Sequence, residues 1–340
     1  MKKLIICTDG TWDKPGETDA NGKPLDSNVC ILYNAIIETD KNGIRQLKAY
    51  ETGVGTGYSV KDQLGGGVMG AGIDKKIKDV YTFLLLNYEP GDPIYLFGFS
   101  RGAYTARSLA GFIRNCGILR PEYIHLVDKA YELYRDRNVF SQPDSDLMIS
   151  FRRNYCFENI TRIKMIGVWD TVGALGIPLP IYASYNTARY QFHDVTLSST
   201  VDYAFQALAV DERRKPFAPS LWQASKNSVH GENIAVEQRW FPGVHCNVGG
   251  GYANRGLSDQ TLLWLVEKAE LAGLEIDHSK LQAHPDALAE MGNSFTPAYW
   301  ITGKIWRVVG DPQYINQVVD NSVNLRMVKI SSYRPQNVLT

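Results

Sequence analysis

The chain has 340 residues, of which 44% are hydrophobic and 21% are charged. This balance is typical of a folded globular protein and excludes a disordered or fibrous one. Lys and Arg together number 36, as do Asp and Glu, so the formal net charge is zero. Because nucleic-acid binding needs an excess of basic residues, the composition predicts no nucleic-acid partner.

Cysteine usage and the N-terminus bear on the cellular compartment. The five cysteines are an odd number without a CxxC pair, which argues against a disulfide framework and a zinc ribbon and favours a reducing compartment. The apolar stretch after Lys2 and Lys3 meets Asp9 too soon for a signal peptide, and no run of about 18 apolar residues predicts an integral membrane segment. We therefore expect a cytoplasmic protein, and the absence of metal-ligand spacing predicts neither metal nor cofactor.

Hydrophobic periodicity and breaker residues predict elements along the first 275 residues. A twenty-residue stretch with eight glycines, Gly53–Gly72, predicts a long loop. In chain order the patterns predict strand Lys3–Thr8, helix Val29–Glu38, strand Arg45–Glu51, helix Ile73–Asn87, strand Pro93–Gly98, helix Ala103–Asn115, helix Glu122–Arg135, strand Arg162–Asp170, helix Val201–Val210, a strand end at Arg239–Gly243 and helix Thr261–Ala272.

Strands that alternate with helices predict an α/β protein with a mostly parallel sheet and helices on both faces. We assign residues 1–275 to an α/β-hydrolase-like catalytic domain. The pattern weakens beyond that point, so residues 276–340 are assigned to a C-terminal extension packed on the same domain.

The most specific motif is Gly98-Phe99-Ser100-Arg101-Gly102, a G-x-S-x-G sequence between a predicted buried strand and a predicted helix. This context is what a nucleophile elbow requires, because small residues must flank a serine on a strained turn. The helix N-terminus directs N–H groups toward Ser100, and the amide of Arg101 is a natural oxyanion donor. The motif predicts Ser100 as a nucleophile.

A serine nucleophile needs a base, and the acid and the histidine follow it in this order in α/β-hydrolases. His245 lies in a glycine-rich loop after a predicted strand end, which makes it the best of six histidines. Asp170 ends a buried strand between Ser100 and His245, where a carboxylate reaches the ligand-binding edge of a parallel sheet. Structural roles stay open for both: a loop histidine for His245 and a helix cap for Asp170.

Further candidates flank these residues. The backbone amide of Gly10 or Thr11, after the first strand, is the candidate second oxyanion donor, and an ordinary turn capped by Asp9 stays open as the alternative. Asp9 and Trp12 beside that turn, together with Gly53 and Gly55 of the glycine-rich loop, are assigned to substrate binding. Arg213 could meet an anionic head group, although a solvated charged loop is the commoner role of such a segment. A literal G-x-G-x-x-G at residues 65–70 lacks the preceding strand of a dinucleotide site.

Six motifs occur in the order found in one known family. The chain resembles the large family of uncharacterised α/β-hydrolase domains that includes type VI secretion phospholipase effectors. That resemblance implies a Ser–Asp–His triad at Ser100, Asp170 and His245, and ester hydrolysis with phospholipid as one substrate class. The motifs are Cys7–Trp12, Gly53–Thr56, Gly98–Arg107, Val168–Val172, Ala209–Arg214 and Phe241–His245.

These observations predict a serine hydrolase that cleaves carboxylic esters, with lipid esters included, through an acyl-enzyme. A small-molecule or lipid ester is the expected partner, and peripheral contact with a membrane stays open. Two alternatives also stay open: a non-catalytic interaction module that retains the hydrolase fold, and a thioesterase or peptidase on the same fold.

Overall fold

The computed structural model describes residues 1–10, 16–52, 66–136, 138–173, 196–223, 233–296, 299 and 303–338, with the backbone alone for 66–71. Its centre is a seven-stranded sheet in the order β2-β1-β3-β4-β5-β6-β7. The strands are β1 Lys3–Thr8, β2 Gln46–Glu51, β3 Ile94–Phe99, β4 Ile163–Trp169, β5 Val201–Ala209, β6 Ala235–Phe241 and β7 Gln317–Val319.

All six strand pairings are parallel, which confirms the predicted α/β class. Parallel pairing requires crossover segments between the strands, and helices supply most of them. The described α-helices are α1 Asn28–Ala35, α2 Gly66–Asn87, α3 Arg101–Cys116, α4 Val127–Arg135, α5 Asp146–Tyr155, α6 His245–Gly249, α7 Gly256–Leu271 and α8 Asn321–Lys329.

Alternate strand residues pack into two separate cores, one on each face of the sheet. Leu4 and Ile6 of β1 pack in a cluster with α2, α3 and α4. Ile5 and Cys7 pack on the other face with α1 and α7. Because successive side chains of a strand point to opposite faces, a strand that is apolar throughout must be covered on both sides. The prediction of helices on both faces is therefore confirmed.

The segment predicted as helix Val201–Val210 is instead β5, a strand with neighbours on both sides. Ala204 belongs to the first core, whereas Phe205 and Ala207 belong to the second. A short segment buried on both faces is nearly continuously apolar, and such a run has no periodicity that separates a strand from a helix. The helical prediction was wrong for this reason.

The predicted loop Gly53–Gly72 is also partly wrong, because α2 begins at Gly66. Each glycine costs about 1 kcal/mol in a helix interior. Here, however, the helix continues into turns that bury Ile73, Ile77 and Val80, and extending an existing helix adds a hydrogen bond per residue. Residues 53–65 lie outside the described residues.

The C-terminal part, for which the sequence predicts no elements, adds β7 at one edge of the sheet and α8 after it. Val323 of α8 packs in a third cluster with Leu208 and Trp240 of the sheet. No described helix, the 22-residue α2 included, has the length and hydrophobicity that a bilayer-spanning segment needs.

Candidate active site

The predicted site residues follow the carboxyl ends of neighbouring parallel strands. Ser100 comes directly after β3, and Asp170 comes directly after β4. His245 opens the short helix α6, which follows β6. The chain reverses its direction of strand addition between β1 and β3, and such a switch point is where ligands of open parallel sheets bind.

Ser100 occupies a sharp turn that only small neighbours permit. Its φ of 57° and ψ of −120° form a left-handed conformation that is costly for a residue with a side chain. A Cβ at Gly98 would lie 2.7 Å from the Ala103 Cα, and one at Gly102 would lie 2.1 Å from the Thr8 carbonyl oxygen. The turn is pinned to β1, because the Thr8 hydroxyl donates to the Gly102 carbonyl at 2.7 Å.

The structure brings the three predicted catalytic side chains together in one buried chain of hydrogen bonds. The Ser100 Oγ lies 2.8 Å from His245 Nε2, and His245 Nδ1 lies 2.5 Å from Asp170 Oδ2. The His245 ring is enclosed by Phe99 on one side and Phe217 on the other, with ring centroids 4.6 and 4.9 Å away. A serine, an imidazole and a carboxylate in this order form a proton relay.

A buried arginine that the sequence does not single out completes this cluster. Arg307 donates from Nη1 to Asp170 Oδ1 at 2.5 Å and from Nη2 to Asp170 Oδ2 at 2.9 Å. The same nitrogens reach the carbonyls of Ala209 and Phe217, and neither charged side chain is exposed. Arg307 comes from the C-terminal part, 137 residues after Asp170, so no local pattern could have indicated it.

Charge and burial set the protonation of the cluster. Burial alone would raise the pKa of Asp170, but the charge of Arg307 and the hydrogen bond from His245 hold that pKa well below its usual range. Burial lowers the pKa of His245, and the attraction of Asp170 opposes this without cancelling it. An ionised Asp170 accepts a hydrogen bond from Nδ1–H of His245, which leaves Nε2 of the neutral imidazole to accept a hydrogen bond from the Ser100 hydroxyl.

Two acidic residues after β5 hold the loop that carries His245. The Asp211 carboxylate accepts the Gly243 amide at 2.7 Å, and Glu212 Oε2 accepts the His245 amide at 3.2 Å. Burial would raise the pKa of Glu212, but Arg214 donates two hydrogen bonds to it and lowers the pKa to about 2. Glu212 is therefore a fixed anion that orients the backbone of His245.

The residues predicted to form the oxyanion hole and to bind substrate differ in their contacts. Arg101 is the first residue of α3, directly after Ser100. The Gly10 amide donates to the Asp9 carboxylate at 2.6 Å. The other Asp9 oxygen accepts the hydroxyls of Ser27 and Tyr50, so this side chain anchors the N-terminus of α1. Thr11, Trp12, Gly53 and Gly55 lie outside the described residues.

Arg213 contacts the C-terminal part of the chain. Its guanidinium stacks on the ring of Trp306, 4.0 Å from the centroid, and it borders a cavity of about 490 Å³ together with residues of the C-terminal part. In the described ranges, no three His, Cys, Asp or Glu side chains are grouped so that they could hold a metal ion. None of the five cysteines, all of which are described, forms a disulfide.

In a comparison with known protein families, one family model matches most of the chain. The family model described as "T6SS, Phospholipase effector Tle1-like, catalytic domain" matches residues 2–268. An uncharacterised protein of Saccharomyces cerevisiae, YEL023C, is 30% identical over 234 residues, which are 64% of this chain and 32% of the yeast protein. The chain thus spans about a third of that relative.

Two solved structures are similar at lower identity. A crystal structure of an uncharacterised protein from Pseudomonas aeruginosa matches with a TM-score of 0.49 and 18% identity, over 88% of this chain and 48% of that one. The structure of a Tle1 effector bound to the VgrG spike of the type 6 secretion system matches with a TM-score of 0.39 and 18% identity, over 74% of this chain and 52% of that one.

We predict that Gly102→Ala destabilises the protein by about 1–3 kcal/mol or more, because its Cβ would meet the Thr8 carbonyl of β1, which has little room to move. Urea unfolding measures the change. Gly173→Ala is the matched control, since no atom of the described residues lies within 4 Å of its added Cβ, and we expect a change below about 0.5 kcal/mol. Equal effects at the two positions would contradict the close approach at the elbow.

We predict that Arg307→Met lowers the free energy of unfolding by about 3–5 kcal/mol at neutral pH, because it leaves the buried carboxylate of Asp170 without its counter-charge. The double variant Arg307→Met/Asp170→Asn should lose less free energy of unfolding than the single variant Arg307→Met. The deficit of the single variant should narrow as pH falls below about 4, the pKa of an Asp in the unfolded chain, because stability from a depressed carboxyl pKa is fully present above the unfolded pKa and is lost as pH falls through the depressed folded one. A deficit independent of pH would contradict the ion pair as its cause.

Proposed function

Because the chain belongs to the family of Tle1-like phospholipase effector catalytic domains, we propose that it is a serine hydrolase that cleaves carboxylic esters, with phospholipid esters as the substrate class. The observation that carries the proposal is the buried relay from Ser100 Oγ through His245 to Asp170. The family description alone would suit a hydrolase of any mechanism, whereas this hydrogen-bonded chain supports a serine nucleophile with an imidazole base.

In the proposed reaction, the Ser100 Oγ attacks the ester carbonyl carbon while its proton passes to His245 Nε2. The tetrahedral intermediate collapses, the bond to the alcohol oxygen breaks, and the imidazolium returns the proton to that oxygen. Water then attacks the acyl-enzyme by the same steps, with His245 again as the base. Asp170 fixes the Nδ1–H tautomer and stabilises the imidazolium. The amide of Arg101, at the start of α3, is our candidate oxyanion donor, with Thr11 as the second, because the Gly10 amide already donates to the Asp9 carboxylate.

Arg307 is a positioning residue in this proposal, because it acts through Asp170. Its two parallel hydrogen bonds fix both carboxylate oxygens, so that Oδ2 meets the imidazole in one orientation. Its positive charge also offsets part of the carboxylate charge that would otherwise favour the imidazolium. The expected result is a base that stays neutral, and therefore able to accept a proton, at neutral pH.

We predict that a fluorophosphonate probe labels Ser100 in the native protein and that Ser100→Ala and His245→Ala lower the labelling rate at least about 100-fold. Mass spectrometry of the modified peptide locates the label. Ser150→Ala, which removes an exposed serine of α5, is the control and should label normally. An unreactive native protein would favour the non-catalytic module, and undiminished labelling of His245→Ala would exclude the relay.

We predict that kcat/KM for a short acyl ester rises with pH along an acid limb whose midpoint lies below about 6.5, the usual pKa of histidine. The sign follows from burial, which lowers the pKa of His245, since the base works only when it is neutral. Arg307→Gln should move this acid limb to higher pH, because the uncompensated Asp170 carboxylate then stabilises the imidazolium. Arg307→Lys keeps the charge and should leave the limb closer to that of the wild type. If no Arg307 variant shifts the acid limb of the kcat/KM profile, the electrostatic role of Arg307 is excluded.

The acyl class is a separate question from the mechanism. A panel of short esters, thioesters, peptides and phospholipids, each compared with Ser100→Ala, distinguishes the esterase from a thioesterase or peptidase on the same fold. We expect cleavage of carboxylic esters, with release of fatty acid from phospholipid. Turnover of thioesters or peptides alone would contradict the ester assignment and leave the serine mechanism intact.

A further inference from the structure

The segment 303–308 presents two different sides. It is tied to the chain after β5, since the Ile305 amide donates to the Arg213 carbonyl at 3.0 Å and the Lys215 amide donates to the Gly303 carbonyl at 3.2 Å. Arg307 points inward to Asp170. Trp306 and Val308 on either side of it point outward and are 41% and 65% exposed, and Lys304 is exposed as well. Neighbouring exposed apolar side chains beside a lysine mark a candidate interaction surface.

The cavity next to this segment has a positive lining. Its volume is about 490 Å³, which is in the size range of small-ligand sites. Three cations line it, Arg213, Lys304 and Arg334, against the single carboxylate of Asp211 among the described lining residues. That carboxylate is buried and accepts the Gly243 amide and the Tyr333 hydroxyl, and burial raises its pKa. An excess of positive charge around one space favours an anionic ligand.

The contacts of these cations suit a phosphate group. Arg213 stacks on Trp306 through the face of its guanidinium plane, whereas phosphate oxygens bind the N–H edge of the same group. Lys304 lies over the ring of Phe295, 4.5 Å from the centroid. An indole beside basic side chains is typical of protein surfaces that lie at the head-group level of a bilayer.

We propose that a surface made of Arg213, Lys304, Trp306, Val308 and Arg334, here called the basic-aromatic surface, docks the protein on a bilayer that carries anionic phospholipid head groups. The cations meet the head-group phosphates, and Trp306 and Val308 enter the boundary with the acyl chains. The docked bilayer then lies beside the segment whose inward residue, Arg307, holds Asp170. The inference rests on the proposed function, since an esterase for membrane lipids must meet its substrate at the bilayer surface.

Vesicle sedimentation tests this surface without turnover if every protein carries Ser100→Ala. We expect binding to vesicles of phosphatidylcholine mixed with phosphatidylglycerol, weaker binding at raised salt, and little binding to phosphatidylcholine alone. Lys304→Gln should lower the partition coefficient about five-fold, the effect of one basic residue near an anionic surface. Trp306→Ala and Val308→Ser should each lower it further by removing the apolar contact.

Matched controls separate this surface from general effects of charge and hydrophobicity. Lys280→Gln removes an exposed lysine elsewhere, and Phe140→Ala removes an aromatic side chain that is 68% exposed on another part of the molecule. Both should bind vesicles like the parent. Circular dichroism and the unfolding temperature verify the fold of each variant, and Val308→Ser keeps the test available if Trp306→Ala does not fold.

Three results would overturn the proposal: no binding to the mixed vesicles, equal binding to both vesicle types, or equal losses in the control variants. The outcome is independent of the esterase assignment. Vesicle binding by a protein whose native form resists the fluorophosphonate probe would sustain the docking surface and reject the serine hydrolase. Labelling at Ser100 without vesicle binding would sustain the serine hydrolase and reject the docking surface.

Discussion

The ion pair between Asp170 and Arg307 is the interaction on which the rest of the candidate site depends. A carboxylate fully removed from water is costly unless a counter-charge and hydrogen bonds replace the solvent. Arg307 supplies two charge-assisted hydrogen bonds, the Ala209 amide supplies a third, and His245 supplies a fourth. With that carboxylate fixed and ionised, the tautomer of His245 follows, and with it the unprotonated Nε2 that faces the Ser100 hydroxyl.

A second buried pair supports the same imidazole from the backbone side. Glu212 binds the guanidinium of Arg214 and accepts the amide of His245. The two carboxylates and two arginines balance in charge, so the four groups around the neutral imidazole carry no net charge. Every member of this arrangement is buried, which makes the geometry of the site a property of the packed interior rather than of a surface loop.

Much of the fold and the three central side chains could be predicted because their signals are local. The strand before Ser100 is apolar, the helix after it is regular, and small residues flank the turn, so a stretch of about twenty residues contains the whole argument for the elbow. Asp170 could be placed from the end of a single buried strand. His245 needed only the strand end before it and the order of triad residues along the chain.

The parts that could not be predicted depend on distant contacts. Arg307 is one arginine in a region without periodicity, and its meaning comes from a carboxylate 137 residues earlier. Glu212 sits in a run of charged residues that resembles a solvated loop until its burial is known. β5 was mistaken for a helix because a strand covered on both faces loses the alternation that identifies strands. In each case the prediction would have required knowledge of tertiary contacts or of burial in the folded protein.

The distance along the chain between Asp170 and its arginine also orders events during synthesis. A chain leaving the ribosome exposes β1 to β6, with the serine, the carboxylate and the imidazole, well before residue 307 emerges. Until that residue arrives, the interior must hold Asp170 protonated or hydrated. Closing such a long loop is slow because the chain loses entropy. That entropy cost grows only slightly with each further residue in the loop. The complete site can therefore form only after residue 307 has been synthesised, and shorter nascent chains lack it.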